Sequence, residues 1–403
     1  MSHHMTPCIL VVALGASVHT QRWLQMVASP RHRLVLLSST PLQPNLPALA
    51  ALPTIRSRED LDRLPPGMAG QWARDPLDEQ PADDDLPPPV FLSARAALVR
   101  SASVEHAVRV LQPVLVHSME IQMAGYACLK AAQAMGTDFP LWLVSNWGSD
   151  LYLYEKLDTH RPVLQALAAR VDALHCECAR DVAMAQQLGS REGCPTHVQP
   201  ASGGVDFADM PLPGTPPSQR NLIVIKGYHG WSGRALHILS ALLIAAPHLQ
   251  RFQVRIALAG PEVAEMAAEV ARVTGLDIQP DTWQADHGPA LDRTAQARLV
   301  VGVGISDGIG TSSLEAMALG AFPIAADTGC LCEWIRPGID GLIVDPHDVA
   351  ALADAIVTAA TDDALVDAAY RRNRQEVEKR WDARTNGARA LRMYDDVIAR
   401  GCA

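Results

Sequence analysis

One stretch concentrates the chemistry of this chain: Ser306-Asp307-Gly308-Ile309-Gly310-Thr311-Ser312-Ser313-Leu314-Glu315-Ala316-Met317-Ala318-Leu319-Gly320. It reads as the exit of a strand, a glycine turn and a helix start. A helix start exposes unpaired N–H groups and the positive end of the dipole, so Thr311, Ser312 and Ser313 can offer amides and hydroxyls to a diphosphate, with Gly308 and Gly310 letting it approach. Glu315 lies one helical turn beyond Thr311 on the same face, where a carboxylate can accept two ribose hydroxyls. Asp307 can take sugar hydroxyls from the other side. The plain alternative is N-capping by Thr or Ser plus a solvated Glu.

A second group lies upstream, in Val224-Ile225-Lys226-Gly227-Tyr228-His229-Gly230-Trp231-Ser232-Gly233-Arg234. A strand ends in a glycine-rich turn that carries two cations. Lys226 and Arg234 can make charge-assisted bonds to phosphate oxygens and stabilise the charge that grows on a leaving group. Because a helix start repels cations unless an anion lies between, their position favours an anionic ligand over idle surface charge. Only four lysines, Lys130, Lys156, Lys226 and Lys379, stand against thirty arginines, which makes Lys226 conspicuous.

The N-terminal half offers softer signals at three expected strand ends: Gly15-Ala16-Ser17-Val18-His19, then His117-Ser118-Met119-Glu120, then Ser145-Asn146-Trp147-Gly148-Ser149-Asp150. The first lacks a full G-x-G-x-x-G, which lowers a dinucleotide-oxidoreductase reading. His19 can contact a ligand or bond to backbone. Glu120 and Asp150 can bind hydroxyls or cap helices.

The elements that must position these residues alternate short β-branched runs with helical stretches, the pattern of parallel α/β layers. Strands are expected at Ile9–Leu14, Arg33–Ser38, Val114–His117, Leu141–Ser145 and Ala173–Cys176, then at Leu222–Ile225, Val254–Ala259, Leu299–Val303, Phe322–Ala325 and Leu342–Val344. Helices should begin near Gly233, Pro261, Thr311 and His347. This gives two Rossmann-like domains with parallel sheets: 1–207, holding a Pro- and Asp-rich exposed insertion at 56–89, and 221–380. A Pro-rich linker at 208–220 joins them, and a C-terminal helix at 381–403 packs back on the first domain. Ligands of open α/β sheets sit beyond the carboxyl ends of the strands, so the cleft between the halves is the expected site.

At 403 residues and 48% hydrophobic, the chain can fill more than one core. A formal charge of −10 argues against a nucleic-acid partner. No apolar run is long enough to cross a bilayer, no signal peptide is read at the start, and a cytoplasmic location is expected. A weak peripheral membrane contact would leave little trace in this composition. The eight cysteines are scattered and read as free thiols, so no metal site is expected.

The stretch from Ser306 to Gly320 closely resembles the acidic pair, with seven residues between, of the retaining family 4 glycosyltransferases (glycosyl transferases group 1). The resemblance continues through Ala321-Phe322-Pro323-Ile324-Ala325, Glu333-Trp334-Ile335 and Gly338-Ile339-Asp340-Gly341-Leu342-Ile343-Val344. It weakens toward Gly203-Gly204-Val205-Asp206 and the N-terminal loops. Asp307 stands where the family usually has Glu, in a Ser-Asp-Gly variant the family tolerates. Trp147 stands where it usually has His. The resemblance implies a GT-B fold and transfer of a sugar, a hexose, from a nucleotide diphosphate donor (UDP or GDP) to an acceptor hydroxyl. Configuration is retained, through same-face attack assisted by the departing phosphate. It implies His117, Asp307, Lys226 and Arg234 as catalytic residues. Gly15, Gly308, Gly310, Thr311, Ser312, Ser313 and Glu315 become donor ligands, and His19, Glu120 and Asp150 acceptor-side residues. No cofactor is implied, and without a strand-end D-x-D motif no metal dependence is expected. The acceptor class runs from glycans and lipid-linked sugars to small molecules, and bacterial glycan or glycoconjugate assembly is the implied setting. Two rivals share the same site: a GT-B epimerase of UDP-sugars and a binding partner without catalysis.

Overall fold

The computed structural model describes residues 6–15, 17–40, 54–55, 58–63, 69–72, 86–87, 99–211, 214–281 and 288–401. The chain forms two compact units, 1–204 with 383–403, and 205–382.

The first unit is built on an eight-stranded sheet in the order β3-β4-β2-β1-β5-β6-β7-β8. These strands are β1 Cys8–Ala13, β2 Arg33–Ser38, β3 Thr54–Ile55, β4 Ala69–Trp72, β5 Leu115–Met119, β6 Leu141–Ser145, β7 Ala173–Cys176 and β8 Thr196–Val198. Every paired neighbour is parallel. Parallel strands are covered on both faces, which is why β1 reads as an unbroken apolar run rather than an alternating one. Its side chains still divide by the strand period of two. Cys8, Leu10 and Val12 pack into one core with helices Ser101–Leu111 and Tyr126–Met135, while Ile9, Val11 and Ala13 face the other. That second core includes Trp23 from helix Val18–Met26 and Met393, Tyr394 and Val397 from helix Ala383–Gly401. The last helix is thus part of the first unit.

The second unit carries a six-stranded parallel sheet, β11-β10-β9-β12-β13-β14. Its strands are β9 Leu222–Lys226, β10 Gln253–Ala257, β11 Asp277–Pro280, β12 Ala297–Gly302, β13 Phe322–Ala326 and β14 Leu342–Val344. Ile223 and Ile225 face helices Ala235–Ala245 and Val349–Thr361, and Leu222 and Val224 face Ala316 of helix Thr311–Leu319. In each sheet the strand order reverses direction once around the first strand, at β1/β5 and at β9/β12. Such switch points open a crevice at the carboxyl ends of the two strands, which is where ligands of open α/β sheets bind.

Two boundaries differ from the sequence expectation. The chain passes from one unit to the other at Gly204/Val205 and returns at Asp382/Ala383, not at a 208–220 linker. The Pro-rich segment belongs to the second unit. Arg220, buried, donates to the carbonyls of Thr215, Ala297 and Leu319, and Ser218 is held by Asp367 through its amide and hydroxyl. The Pro- and Asp-rich stretch 56–89 is not wholly an exposed insertion, because Ala69–Trp72 enters the sheet beside β2. Most of the rest of that stretch lies outside the described residues. The free thiols Cys8, Cys128 and Cys176 are buried, Cys194 is half-buried and Cys332 is exposed. Among the described residues, no helix is long and apolar enough to cross a membrane.

Candidate functional site

In the second unit the switch point is bounded by the end of β9, at Lys226, and by the turn leaving β12. Lys226 Nζ lies 3.3 Å from Asp307 Oδ2, and Asp307 Oδ1 accepts from the Gly308 amide at 2.9 Å. The turn after β9 is folded so tightly that side chains are excluded. A Cβ on Gly227 would stand 2.6 Å from Ile256 Cγ2, and one on Gly233 would stand 2.1 Å from the Tyr228 carbonyl oxygen. Glycine is required at both. The turn is tied to the β12 exit by Arg234 N to Val303 O (3.0 Å) and Ile305 N to Ser232 O (2.8 Å).

Helix Thr311–Leu319 begins with Gly310 at its N-cap and no side-chain cap. The capping alternative for Thr311 or Ser312 is therefore not what the structure shows. Thr311, Ser312 and Ser313 are half-buried around the helix start. This start adjoins Asp307, since a Cβ on Gly310 would lie 3.4 Å from Asp307 Oδ2 and 3.5 Å from Ser313 Oγ. Glu315 is only 6% exposed, which rules out a merely solvated surface carboxylate. Its helix thus carries a polar start and, one turn later, a buried acid.

Arg234 differs from its expected role. It sits at the N-cap of helix Ala235–Ala245, and its Nη1 donates to the carbonyls of Gly230 (2.9 Å) and Gly233 (2.8 Å). These two acceptors compensate the cation at the positive helix end, so its placement needs no bound anion. Two residues near the pair escaped sequence reasoning. Tyr228 feels the charges of both Lys226 and Asp307, and burial raises its hydroxyl pKa. Ser306 is buried immediately before Asp307, its Oγ without a hydrogen-bond partner among the described residues. Their only signal was position inside the glycine turns.

In the first unit, the Gly15 amide donates to Ser38 Oγ at 3.2 Å, and Ser17 caps helix Val18–Met26 by accepting from His19 N. The His19 ring packs edge-on against Trp147 at 5.6 Å. Glu120 is a backbone tie and not an open hydroxyl ligand, and one oxygen of Asp150 is tied to backbone in the same way. Glu120 occupies φ 74°, ψ 150°, a region normally left to glycine that costs roughly 1–3 kcal/mol. Its carboxylate, 4% exposed, accepts from Met123 N (2.9 Å) and Ala124 N (2.6 Å) and so holds the turn Ile121–Gly125. Asp150 Oδ2 accepts from Ile121 N (2.9 Å) and Trp147 N (2.8 Å). Burial pushes Glu120 up to about 7, partly offset by its backbone hydrogen bonds; burial and the Glu120 charge push Asp150 well above the usual carboxylate range.

Both shifts have the same consequence for stability. The folded state keeps a proton on Glu120 between its ordinary value of 4.5 and about 7, where the unfolded chain has released it. Stability therefore falls as pH rises through that window, by a few kcal/mol at most for a shift of this size. Urea denaturation should give a lower midpoint at pH 8 than at pH 5.5, and Glu120→Gln should flatten that difference. An equally steep profile in the variant would assign the effect elsewhere.

His117, expected to be catalytic, is instead sealed in the core with no exposed surface. Its Nδ1 lies 2.8 Å from Tyr394 Oη and its Nε2 2.7 Å from Ser145 Oγ, which is 2.7 Å from His175 Nδ1. His175 Nε2 meets the Gln199 carbonyl at 3.0 Å, and Trp23 Nε1 donates to Tyr394 Oη at 2.9 Å. The end groups set every proton. A carbonyl only accepts, so His175 carries its proton on Nε2 and accepts from Ser145 on Nδ1. Ser145 then accepts from His117 Nε2, and His117 Nδ1 accepts from Tyr394. Both imidazoles are neutral, and burial lowers both, His175 to about 3. Tyr394→Phe removes the donor to His117 and the acceptor of Trp23, and leaving two buried groups unpaired should cost about 3 kcal/mol. Denaturation should show that loss, with ligand binding per folded molecule unchanged. Lost activity at unchanged stability would return His117 to a catalytic role.

The turn after β9, the β12 exit and the Thr311 helix match a known sequence family. The model described as "Glycosyl transferases group 1" matches residues 230–362. The similarity to that group is carried by these residues. This group 1 segment contains Arg234, Asp307, the Thr311 helix and Glu315, while Lys226 lies just before it. The D-inositol 3-phosphate glycosyltransferase of Kribbella flavida is 36% identical over 104 residues, 26% of this chain and 24% of that protein. The protein of the same name from Nocardia farcinica is 35% identical over 127 residues, 31% of this chain and 25% of that one. The match thus spans about a quarter of the length of these curated relatives. Among solved structures, sucrose-phosphate synthase from Thermosynechococcus elongatus superposes with a TM-score of 0.68 at 16% identity, over 98% of this chain and all of that one. Anabaena HepE in complex with UDP and glucose gives the same TM-score and identity over 97% of this chain and 100% of that one. At such identity these likenesses speak for the fold, which is GT-B.

Proposed function

We propose that the protein is a retaining glycosyltransferase that moves a sugar, a hexose, from a nucleoside diphosphate donor to an acceptor hydroxyl. One observation carries this reading. Within or beside the group 1 segment, a cation on β9, an uncapped helix start and a buried acid one turn into that helix gather around the carboxyl ends of β9 and β12. Thr311, Ser312 and Ser313 receive the diphosphate at the helix start, Gly308 and Gly310 let it approach, and Lys226 stabilises the charge that grows as it leaves. Glu315 takes the ribose hydroxyls, and Asp307 takes hydroxyls of the sugar. Arg234 braces the turn that carries Lys226. The bond from sugar to diphosphate breaks first, and the acceptor hydroxyl attacks the same face while a departing phosphate oxygen takes its proton, which gives retention.

HepE was solved with UDP and glucose, which makes UDP the first base to test here. The acceptor side falls to the first unit, where His19 stands at the exit of β1. The curated relatives are named for D-inositol 3-phosphate, and a small phosphorylated polyol is a fitting first acceptor beside glycans and lipid-linked sugars. The reading places the reaction in the cytoplasm.

The test is slow hydrolysis or transfer from an α-linked donor, followed by NMR at early times. An α-configured product supports the reading. A β-configured product would overturn retention, and an epimerised donor would turn the assignment toward an isomerase.

A further inference from the structure

The Lys226–Asp307 pair has a property that the proposed chemistry does not use. We infer that Asp307 is an internal rival of the diphosphate: it holds Lys226 when no donor is bound, gives it up to a sugar-bearing donor, and takes it back to expel the sugar-free product. The inference rests on the nucleotide-sugar reading above.

Three observations support it. First, the carboxylate is the fixed partner and the lysine the mobile one. Asp307 Oδ1 is tied to the Gly308 amide at 2.9 Å, whereas Lys226 reaches Oδ2 at 3.3 Å from the end of a flexible stem. That stem has room because β12 offers Gly302 beside it, where a Cβ would stand 3.3 Å from Lys226 Cβ and 3.5 Å from its Cδ. Second, the same Oδ2 adjoins the uncapped helix start, 3.4 Å from where a Gly310 Cβ would be. An acid beside a helix N-terminus is stabilised by the same partial charges that would hold a phosphate. Asp307 thus engages one diphosphate partner and borders the other. Third, the two side chains are 35% and 43% exposed, so solvent screens the pair. Exchange of partners is then energetically within reach of a ligand.

The two ligands differ in what they return to Asp307. A diphosphate that takes Lys226 leaves the carboxylate beside new negative charge. A sugar on that diphosphate supplies hydroxyl donors in compensation. The product has lost those hydroxyls, so recapture of Lys226 favours its departure. The donor and the product therefore respond to loss of the charge at 307 with opposite sign, which a structural role would not produce, and dependence of the product's gain on Lys226 separates exchange of partners from direct repulsion.

Calorimetric titration of the full chain with UDP and with UDP-glucose, and with GDP and GDP-mannose in parallel, tests this. Asp307→Asn should bind the free diphosphate about 3- to 10-fold tighter and the matching sugar donor about 10-fold weaker, as expected for removing one screened charge and one charge-assisted hydrogen bond. In a Lys226→Met background the gain for the free diphosphate should shrink below about twofold, since the cation fought over is gone. Asp307→Ser should repeat both signs if Asn perturbs the turn. Unchanged or weaker binding of the free diphosphate by Asp307→Asn and Asp307→Ser overturns the inference and leaves the donor reading standing. Failure of the wild-type protein to bind any of the four ligands overturns both.

Discussion

Glu315→Gln should lower donor turnover by about 10²- to 10³-fold, because one of the two hydrogen bonds accepted by the carboxyl oxygens is lost and the other is weakened, and a bond to a charged group is worth about 1.5–3 kcal/mol. The substitution keeps the size and one acceptor oxygen, so packing around the buried side chain changes little. On the proposed reading, it removes one of the two oxygens that accept from the ribose hydroxyls. Glu315 is buried one turn into helix Thr311–Leu319, behind the start that is to hold the diphosphate. A nucleotide reaching that start would bring its ribose toward the same face. The loss should appear in kcat/KM and in calorimetric binding of the donor, with the melting transition nearly unmoved. A variant that melts early but binds and turns over normally per folded molecule would make Glu315 a structural residue of the helix.

Lys226→Met should lower kcat by about 10²-fold while changing donor KM far less, since a cation aimed at charge that develops in the transition state acts mainly on the chemical step. Methionine retains most of the stem that lies along Gly302. Lys226→Arg should recover only part of the loss, because a planar fork cannot reproduce a compact ammonium at the end of a flexible chain. In a chain with thirty arginines and four lysines, this position holds a lysine. A uniform rise in KM with kcat intact would place Lys226 in ground-state binding only.

The parts of the architecture that the residue order revealed share one cause. Strands buried on both faces, such as Ile9–Val12, Leu141–Val144 and Leu222–Ile225, must be apolar throughout, and such runs stand out between turns. Two edge strands were not legible for the converse reason. β8 (Thr196–Val198) and β11 (Asp277–Pro280) pair on one side only, so they carry polar residues and, in β11, a proline at the end. β4 pairs on both sides but was hidden because prolines and aspartates surround it in the sequence. The unit boundary at Gly204/Val205 escaped because proline-rich text resembles a linker whether or not it is anchored, and here Arg220 and Asp367 anchor it.

The candidate site shows the same division. The places of Lys226 at the end of β9 and of the helix start at Thr311 were legible because an apolar run followed by a glycine turn marks a strand end and the helical pattern after it marks a helix start. His117 was misread because a strand buried on both sides gives no sign of which polar residue points into the core. The acceptors and donors that satisfy it, Tyr394 and Ser145, lie 277 and 28 residues away. Glu120 was misread because only the folded chain shows that its oxygens are committed to the amides of Met123 and Ala124, as Oδ2 of Asp150 is to those of Ile121 and Trp147.

The most direct measurement is the melting temperature of the wild-type protein and of Glu315→Gln against a panel of UDP-, GDP-, ADP- and dTDP-sugars. A ligand that binds only the folded state raises the transition by mass action, about 2.7 kcal/mol at a hundredfold excess over Kd. The account predicts that sugars of one base stabilise the wild type and fail to stabilise the variant. No shift with any member of the panel, or a shift of equal size in Glu315→Gln, would contradict it.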